Sequence, residues 1–187
     1  SRNDAQTAQG SGASLWGVGI LAGRSAGDMR DITIEAAAGT TILEADLSQE
    51  GEALRADTPA AVGGVVGVFA RAKADGTLAP TDAVLENIVT NGKLSAVLPA
   101  CEWQDEADGS EPQYGVGGVC GYAGVTENRH ISMCTNHAAV TGSSFTGGIV
   151  GQLAGPYETA DEWDRLFDGN PAAKSSLYQC SSDGLIL

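Results

Sequence analysis

Basic residues, aromatic residues and long apolar runs are all scarce in this chain of 187 residues. Only 10 Lys and Arg stand against 24 Asp and Glu, which gives a formal net charge of -14 at pH 7. Because a phosphate backbone attracts basic surfaces, nucleic acid is not an expected partner, and an anionic membrane surface is disfavoured for the same reason. No run of about 18 apolar residues occurs, so no membrane span is predicted.

Metal and redox motifs are missing as well. The cysteines are Cys101, Cys120, Cys134 and Cys180. They show no CxxC spacing, and with only two His in the chain a Cys/His zinc site and a cofactor are not expected. Their disulfide state stays open from the sequence, with Cys101 as the most plausible partner in a bridge.

Glycine is abundant, and much of it lies in a hexapeptide that occurs four times. The copies are 18–23 (VGILAG), 62–67 (VGGVVG), 116–121 (VGGVCG) and 146–151 (TGGIVG). Positions two and six are glycine throughout, and position four is a large aliphatic residue. These positions are Gly19, Leu21, Gly23, Gly63, Val65, Gly67, Gly117, Val119, Gly121, Gly147, Ile149 and Gly151. Residues two apart in a strand share a face, so the pattern predicts a strand that another backbone approaches closely, repeated down a stack.

A second strand follows each hexapeptide. Asp31–Glu35 alternates apolar and polar residues, and 87–90, 131–136 and 177–182 occupy the corresponding places. Residues 84–89 also allow a helix face, but alignment of Thr90-Asn91 with Thr135-Asn136 favours a strand. Cys180 takes the register of Cys134, and Cys120 takes a place filled by aliphatic residues in other copies, as a small buried residue would.

The spacing divides the chain into a polar tail, residues 1–14, and one repeat domain, residues 15–187. Its repeats are approximately 15–60, 61–114, 115–145 and 146–187. The excess length lies in insertions, which are predicted to emerge on one side. Thr159–Glu162 matches a capping box before Trp163, Leu166 and Phe167, which predicts one short helix. Residues 44–60 allow a second one.

The insertions carry the candidate contact residues. Aromatic side chains in or beside them are Trp103, Tyr114, Tyr157 and Trp163. Near carboxylates and amides they suit sugar or peptide contacts, and the alternative is that they pack the insertions onto the stack. The acidic loop 102–111 offers weak Ca²⁺ candidates, Asp105, Asp108 and Glu111, but lacks the EF-hand register, so solvated charge is the preferred interpretation.

One catalytic motif matches literally. Residues 23–27 read GRSAG, a GxSxG pattern, but a nucleophile elbow needs a helix directly after the serine together with His and acidic partners. The next segment reads as a strand, and His130 and His137 lie far along the chain. The motif is interpreted as a turn that closes the first repeat strand, and no catalytic residue is predicted.

The pattern VGG[IV][VC]G, a loop, then IxxCxN resembles the Glug repeat, on residues 116–121 with 131–136 and 146–151 with 177–182. That family occurs in bacterial cell-surface and secreted proteins, including adhesin-like proteins. The resemblance implies a β-solenoid in which the four aliphatic residues form an inward column and Asn91 stacks on Asn136 at a turn.

The sequence therefore predicts an all-β fold, a right-handed parallel β-helix-like solenoid of about four repeats with loop insertions and one short helix. The expected function is a non-enzymatic, extracellular or cell-surface bacterial spacer that presents loops to a host or microbial glycan or protein, beside other domains of a larger surface protein. The alternative is a β-helix polysaccharide lyase or hydrolase that uses loop carboxylates. The chain end Leu185–Leu187 is apolar and predicts an edge covered by another rung or a partner.

Overall fold

The computed structural model of the protein describes residues 16–37, 39–47, 60–74, 78–98, 114–125, 130–143, 145–154 and 177–187. Within these ranges the chain is all-β: it forms nineteen strands, almost all in parallel sheets, and no helix. The predicted tail and the predicted helix after Thr159 lie outside the described residues. Glu44–Asp46 belong to a strand, and residues 48–59, the greater part of the segment that allows a second helix, lie outside the described residues.

Four parallel sheets hold seventeen of these strands. Sheet A contains β1 (Trp16–Gly19), β5 (Ala60–Gly63), β11 (Tyr114–Gly117) and β16 (Thr146–Gly147). Sheet B contains β2 (Ala22–Ser25), β6 (Val66–Phe69), β12 (Cys120–Gly124) and β17 (Val150–Ala154). Sheet C contains β3 (Met29–Ile34), β9 (Leu85–Thr90), β13 (Ile131–Ser132), β14 (Thr135–Asn136), β18 (Leu177–Tyr178) and β19 (Ser181–Ser182). Sheet D contains β4 (Thr41–Asp46), β10 (Lys93–Val97) and β15 (Ala139–Gly142). An antiparallel hairpin, β7 (Arg71–Ala72) with β8 (Leu78–Ala79), completes the set.

The chain visits these sheets in the same order each time, A to B to C to D, and then returns to sheet A beside the strand it left. We call each passage a layer: layer 1 is 16–47, layer 2 is 60–98, layer 3 is 114–143 and layer 4 is 145–187. Val18, Val62, Val116 and Thr146 are register partners in sheet A. Layer 4 lacks a full strand in sheet D, but Ile186 bridges to Val140 there.

The hexapeptide is a corner between two sheets, not a single strand. Sheet A ends at Gly63, the chain bends at Gly64 and Val65, and sheet B begins at Val66. A Cβ on Gly63 would collide with the carbonyl oxygen of Val66, and the same holds for Gly117 with Cys120. The first copy, 18–23, is divided in the same way, since β1 ends at Gly19 and β2 begins at Ala22. Glycine is needed because the corner folds the chain back on its own carbonyl group.

The second strands are extended, as predicted, with one shared irregularity. Residues 85–90 form a strand, not a helix. Asp31, Asn87, Met133 and Gln179 take positive φ values of 55°, 53°, 52° and 52° at equivalent places in sheet C. Four residues of different chemistry share this left-handed conformation, so the layer geometry imposes it rather than local preference.

The predicted alignment of the second strands is shifted by one residue. Thr135 pairs with Val89 and Asn136 with Thr90, so Asn136 does not stack on Asn91. A shift of one residue moves a side chain to the opposite face of a strand. Asn136 is therefore fully buried, and Asn91 lies outside the strand next to the turn at Gly92.

The described residues form three buried apolar clusters, of which the two larger ones lie between the sheets. One lies between sheets B and C and includes Val66, Phe69, Leu85, Ile88 and Ile131. The other lies between sheets A and D and includes Leu43, Val62, Leu94, Val116 and Val140. Between these cores the backbones of sheets A and B are in direct contact. The last glycine of each corner packs on a sheet A strand of the preceding layer. The contacts are Gly67 on Val18, Gly121 on Val62 and Gly151 on Val116.

Candidate functional site

Most of the predicted contact residues fall outside the described ranges. These are Trp103, Tyr157 and Trp163 and the Ca²⁺ candidates Asp105, Asp108 and Glu111. Tyr114 begins β11, where its backbone is the register partner of Ala60. The structure fixes where two insertions are anchored: residues 48–59 and 99–113 each join a sheet D strand to a sheet A strand of the next layer.

The aliphatic residues of the four corners lie one over the next. The backbone N–H groups of Leu21, Val65 and Val119 donate to the carbonyl oxygens of Val65, Val119 and Ile149 at 3.1, 2.9 and 3.0 Å. Val65, Val119 and Ile149 are buried, whereas Leu21 is 51% exposed. Leu21 therefore departs from the expected inward column, since among the described residues layer 1 is the edge of sheets A and B and has a neighbouring layer on one side only.

A polar ladder crosses three layers of sheet C, from the buried Thr90 and Asn136 to the exposed Ser182. Thr90 Oγ1 donates to Asn136 Oδ1 at 2.8 Å, and Asn136 Nδ2 donates to Ser182 Oγ at 3.2 Å. Asn136 also accepts from the Ala138 N–H at 3.1 Å and donates to the Ala138 carbonyl at 2.9 Å. Each polar group of the fully buried amide thus has a partner, which removes the desolvation cost of placing it there.

The second glycine of each corner makes room for this ladder. The side chain of Asn136 lies where a Cβ on Gly118 would be, and the side chain of Ser182 does the same at Gly148. At Gly64 the Thr90 methyl group is 3.4 Å from the corresponding position. Layer 1 has neither the second glycine nor the polar ladder residue. Ile20 stands in place of the glycine, and Ile34 takes the place of the ladder residue. The double glycine and the polar residue far along the chain therefore occur together.

The outer face of sheet C is polar. His137 Nδ1 lies 2.6 Å from Asp183 Oδ1, and both side chains are exposed. Asn87 Nδ2 donates to Asp31 Oδ1 at 2.6 Å, and Arg30 forms an ion pair with Glu86 in the next layer. Each pair joins adjacent layers, and screening by solvent limits its contribution to stability.

The GxSxG segment begins in a strand, and its last two residues, Ala26 and Gly27, follow that strand with a bend at Gly27. Arg24 and Ser25 belong to β2, and the Ser25 hydroxyl exchanges hydrogen bonds with the backbone of Gly27 at 3.3 Å. The predicted turn is therefore confined to the end of the motif, and no helix follows the serine. His130, in layer 3, has a buried Nδ1 with no hydrogen-bond partner among the described residues.

Two thiols from adjacent layers meet in the core. Cys134 and Cys180 are equivalent positions in layers 3 and 4, and Cys120 lies in sheet B. All three are free thiols. Hydrogen bonding with the Cys134 thiol lowers the pKa of Cys180 to about 6, while the same bond, together with burial, raises the pKa of Cys134. Burial raises the pKa of Cys120. The register of Cys180 with Cys134 was visible in the sequence, but their contact was not.

Nothing in the described ranges groups three or more His, Cys, Asp and Glu side chains as a metal site would. No helix long and apolar enough to cross a membrane is found among the described residues. Comparison with known proteins gave no matching family model, no matching curated protein and no matching solved structure.

Proposed function

We propose that this chain is a right-handed β-solenoid that resembles Glug-repeat proteins and serves as a non-enzymatic, extracellular spacer, one that holds loops for contact with a glycan or a protein. The observation that carries the proposal is the repeated parallel register: each layer pairs with the next in sheets A, B and C. Stacked layers that bury a continuous core are the architecture of solenoid proteins.

The interior supports a stiff spacer. Apolar cores run through successive layers on both sides of the contact between sheets A and B, and the Thr90–Asn136–Ser182 ladder links layers 2, 3 and 4. In such a stack every layer is held by its neighbours along most of its length. A module of this kind sets the distance between whatever lies at its two ends.

The anchoring of the insertions supports the contact role. Residues 48–59 and 99–113 leave from β4 and β10, which pair, and return at β5 and β11, which also pair. The bases of the two loops are therefore about one strand spacing, roughly 5 Å, apart. Loops on a rigid scaffold are a common site of binding, and 99–113 carries Trp103 with several carboxylates.

Glycan and protein arrays probed with the purified chain test the contact role. We expect a bound class of ligand, and we expect Trp103→Ala to abolish the signal. Tyr178→Ala is the matched control, because Tyr178 is an exposed aromatic residue outside the insertions and its loss should leave binding unchanged. Absence of any ligand for the wild-type chain would reject the contact role.

A separate assay tests the alternative that the chain cleaves polysaccharides. The chain is incubated with uronic-acid and neutral polysaccharides, and the release of new reducing or unsaturated ends is measured. We expect no turnover. Cleavage that disappears when Asp105, Asp108 and Glu111 are replaced together by their amides would overturn the spacer proposal.

A further inference from the structure

Cys134 and Cys180 occupy the same position in two hydrogen-bonded layers. Ile131 and Ser132 are the register partners of Leu177 and Tyr178, so the cysteine two residues beyond each pair faces its counterpart. The Ser181 N–H donates to the Cys134 carbonyl at 2.9 Å, which fixes the two backbones beside each other. The Cys180 thiol also donates to the carbonyl oxygen of Ile131 in layer 3, which places its sulfur atom against the backbone that carries Cys134.

Each of the two sulfur atoms has the same backbone neighbour in the layer that precedes its own. Cys134 Sγ is 3.7 Å from the carbonyl oxygen of Leu85 in layer 2, and Cys180 Sγ is 3.7 Å from that of Ile131 in layer 3. Both side chains therefore point into the core from the same place in sheet C. Their exposure differs: Cys134 is fully buried, whereas Cys180 is partly exposed in layer 4.

We propose that Cys134 and Cys180 are a thiol-oxidation site that closes to an intramolecular disulfide between layers 3 and 4. Neighbouring strands of a sheet are about 4.8 Å apart, which lies within the Cα separation of about 4.4–6.8 Å that disulfides span. Layer 4 supplies the small adjustment that bonding needs, because β18 and β19 are two-residue strands at the edge of sheet C.

The oxidant is a low-molecular-weight disulfide, written RSSR. The Cys180 thiolate attacks one sulfur of RSSR and breaks its S–S bond. One RS⁻ is released, and the other RS group remains on Cys180 as a mixed disulfide. Cys134 then loses its proton to solvent and its thiolate attacks Cys180 Sγ, which releases the second RS⁻. Two protein thiols are oxidised, one RSSR is reduced to two thiols, and the protons balance the two thiolates released.

The order of attack follows from access and charge. The partly exposed Cys180 has the lowered pKa and carries the thiolate near neutral pH, so it reacts first. Cys134 is buried behind it and resolves the mixed disulfide. Cys120 is excluded from the step because it lies in sheet B, where its thiol donates to the Tyr122 carbonyl at 3.1 Å.

The consequence is a covalent link between the last two layers. Residues 155–176 join β17 to β18, so a bond from Cys134 to Cys180 fixes the far side of that insertion to layer 3. Cross-linking a chain removes conformations from its unfolded state and raises its thermal stability. This inference concerns the core of sheet C and is independent of the ligand role proposed for the loops.

The experiment treats the folded chain with oxidised glutathione, blocks the remaining thiols with iodoacetamide, digests without reduction and identifies the linked peptides by mass spectrometry. We expect a Cys134–Cys180 linked pair that has lost two hydrogen atoms and that disappears on reduction. The melting temperature should rise on oxidation in the wild-type chain and in Cys120→Val, which places the residue found in layers 2 and 4 at that position.

The Cys134→Ser variant separates the two steps. It keeps the attacking thiol, so we expect glutathione to accumulate on Cys180 without resolution and without a rise in melting temperature. If Cys134 and Cys180 of the folded wild-type chain instead both remain alkylatable after oxidation, or if Cys180 links mainly to Cys101, the proposal is overturned. The wild-type measurement decides the question even where Cys134→Ser does not fold.

Discussion

The side-chain amide of Asn136 occupies the space that a Cβ on Gly118 would need, although Gly118 lies at the corner between sheets A and B and Asn136 lies in sheet C. The amide also bonds to Thr90 in layer 2 and to Ser182 in layer 4. One glycine thus admits a polar side chain that connects three layers. This relationship explains why the double-glycine corner accompanies a polar residue in the second strand.

Gly118→Ala is expected to destabilise the protein by about 2–3 kcal/mol, because the added methyl group meets Asn136 and the backbone of Gly148 and forces both to move. Gly27→Ala is the control, since a Cβ there meets nothing within 4 Å. Its expected effect is within about 0.5 kcal/mol. Urea unfolding measures both. Equal free energies of unfolding for the two variants would show that the Asn136 side chain can move aside without loss of stability.

Asn136→Ala is expected to lower the free energy of unfolding by about 2–4 kcal/mol. The change leaves the Ala138 N–H without its side-chain partner and breaks the links to Thr90 and Ser182 in a buried site. Thr135→Ala is the neighbouring control: its hydroxyl makes an exposed 3.4 Å bond to Ser181 and should cost less than about 1 kcal/mol. Chemical denaturation gives both values, and a neutral Asn136→Ala would contradict the role of the ladder.

Met133→Gly is expected to stabilise the protein by up to about 1 kcal/mol, because glycine adopts a φ of 52° without the penalty that a side chain incurs. Val97→Gly is matched to it, since both native side chains are 43% exposed but Val97 lies in strand β10. The Val97→Gly control should lower the free energy of unfolding by about 1 kcal/mol. Thermal melts compare the pair. A loss at Met133 as large as that at Val97 would argue against backbone strain at this position.

Val65→Ala is expected to cost about 2 kcal/mol, since a fully buried branched side chain leaves a cavity between layers. Leu21→Ala removes more atoms at the equivalent corner but should cost less than about 0.5 kcal/mol, because Leu21 is half exposed. Unfolding in urea measures the two changes. The reverse order would mean that layer 1 is covered more completely than the described residues indicate.

The alkylation rate of Cys180 is expected to rise with a midpoint near pH 6, where its pKa lies, instead of the ordinary 9.0. A lowered folded-state pKa also means that this thiolate contributes stability above about pH 9, and that the contribution is lost as the pH falls through about 6. Cys134→Ala removes the hydrogen bond that lowers the pKa and should move the midpoint upward. Iodoacetamide labelling followed by mass spectrometry reads both profiles; an unchanged midpoint in the variant would assign the shift to another group.

The sequence by itself determined the all-β class, the positions of the repeated glycines and the existence of the second strands. These features are local: glycine is required wherever the chain folds onto its own carbonyl group, and alternating side chains specify an extended segment such as 31–35. The equivalence of Cys134 and Cys180 could also be read from the repeat, because both follow an aliphatic residue by three positions.

Only the tertiary structure decided how the layers lie against one another. The pairing of Asn136 with Thr90 in place of Asn91, the division of the hexapeptide between two sheets and the exposure of Leu21 all depend on register across insertions of unequal length. Sequence similarity aligns residues by type, whereas the sheet aligns them by backbone hydrogen bonds and by which side chains the core admits. The side chain of Asn136 fits because Gly118 leaves space for it, and that fit is a property of the folded stack.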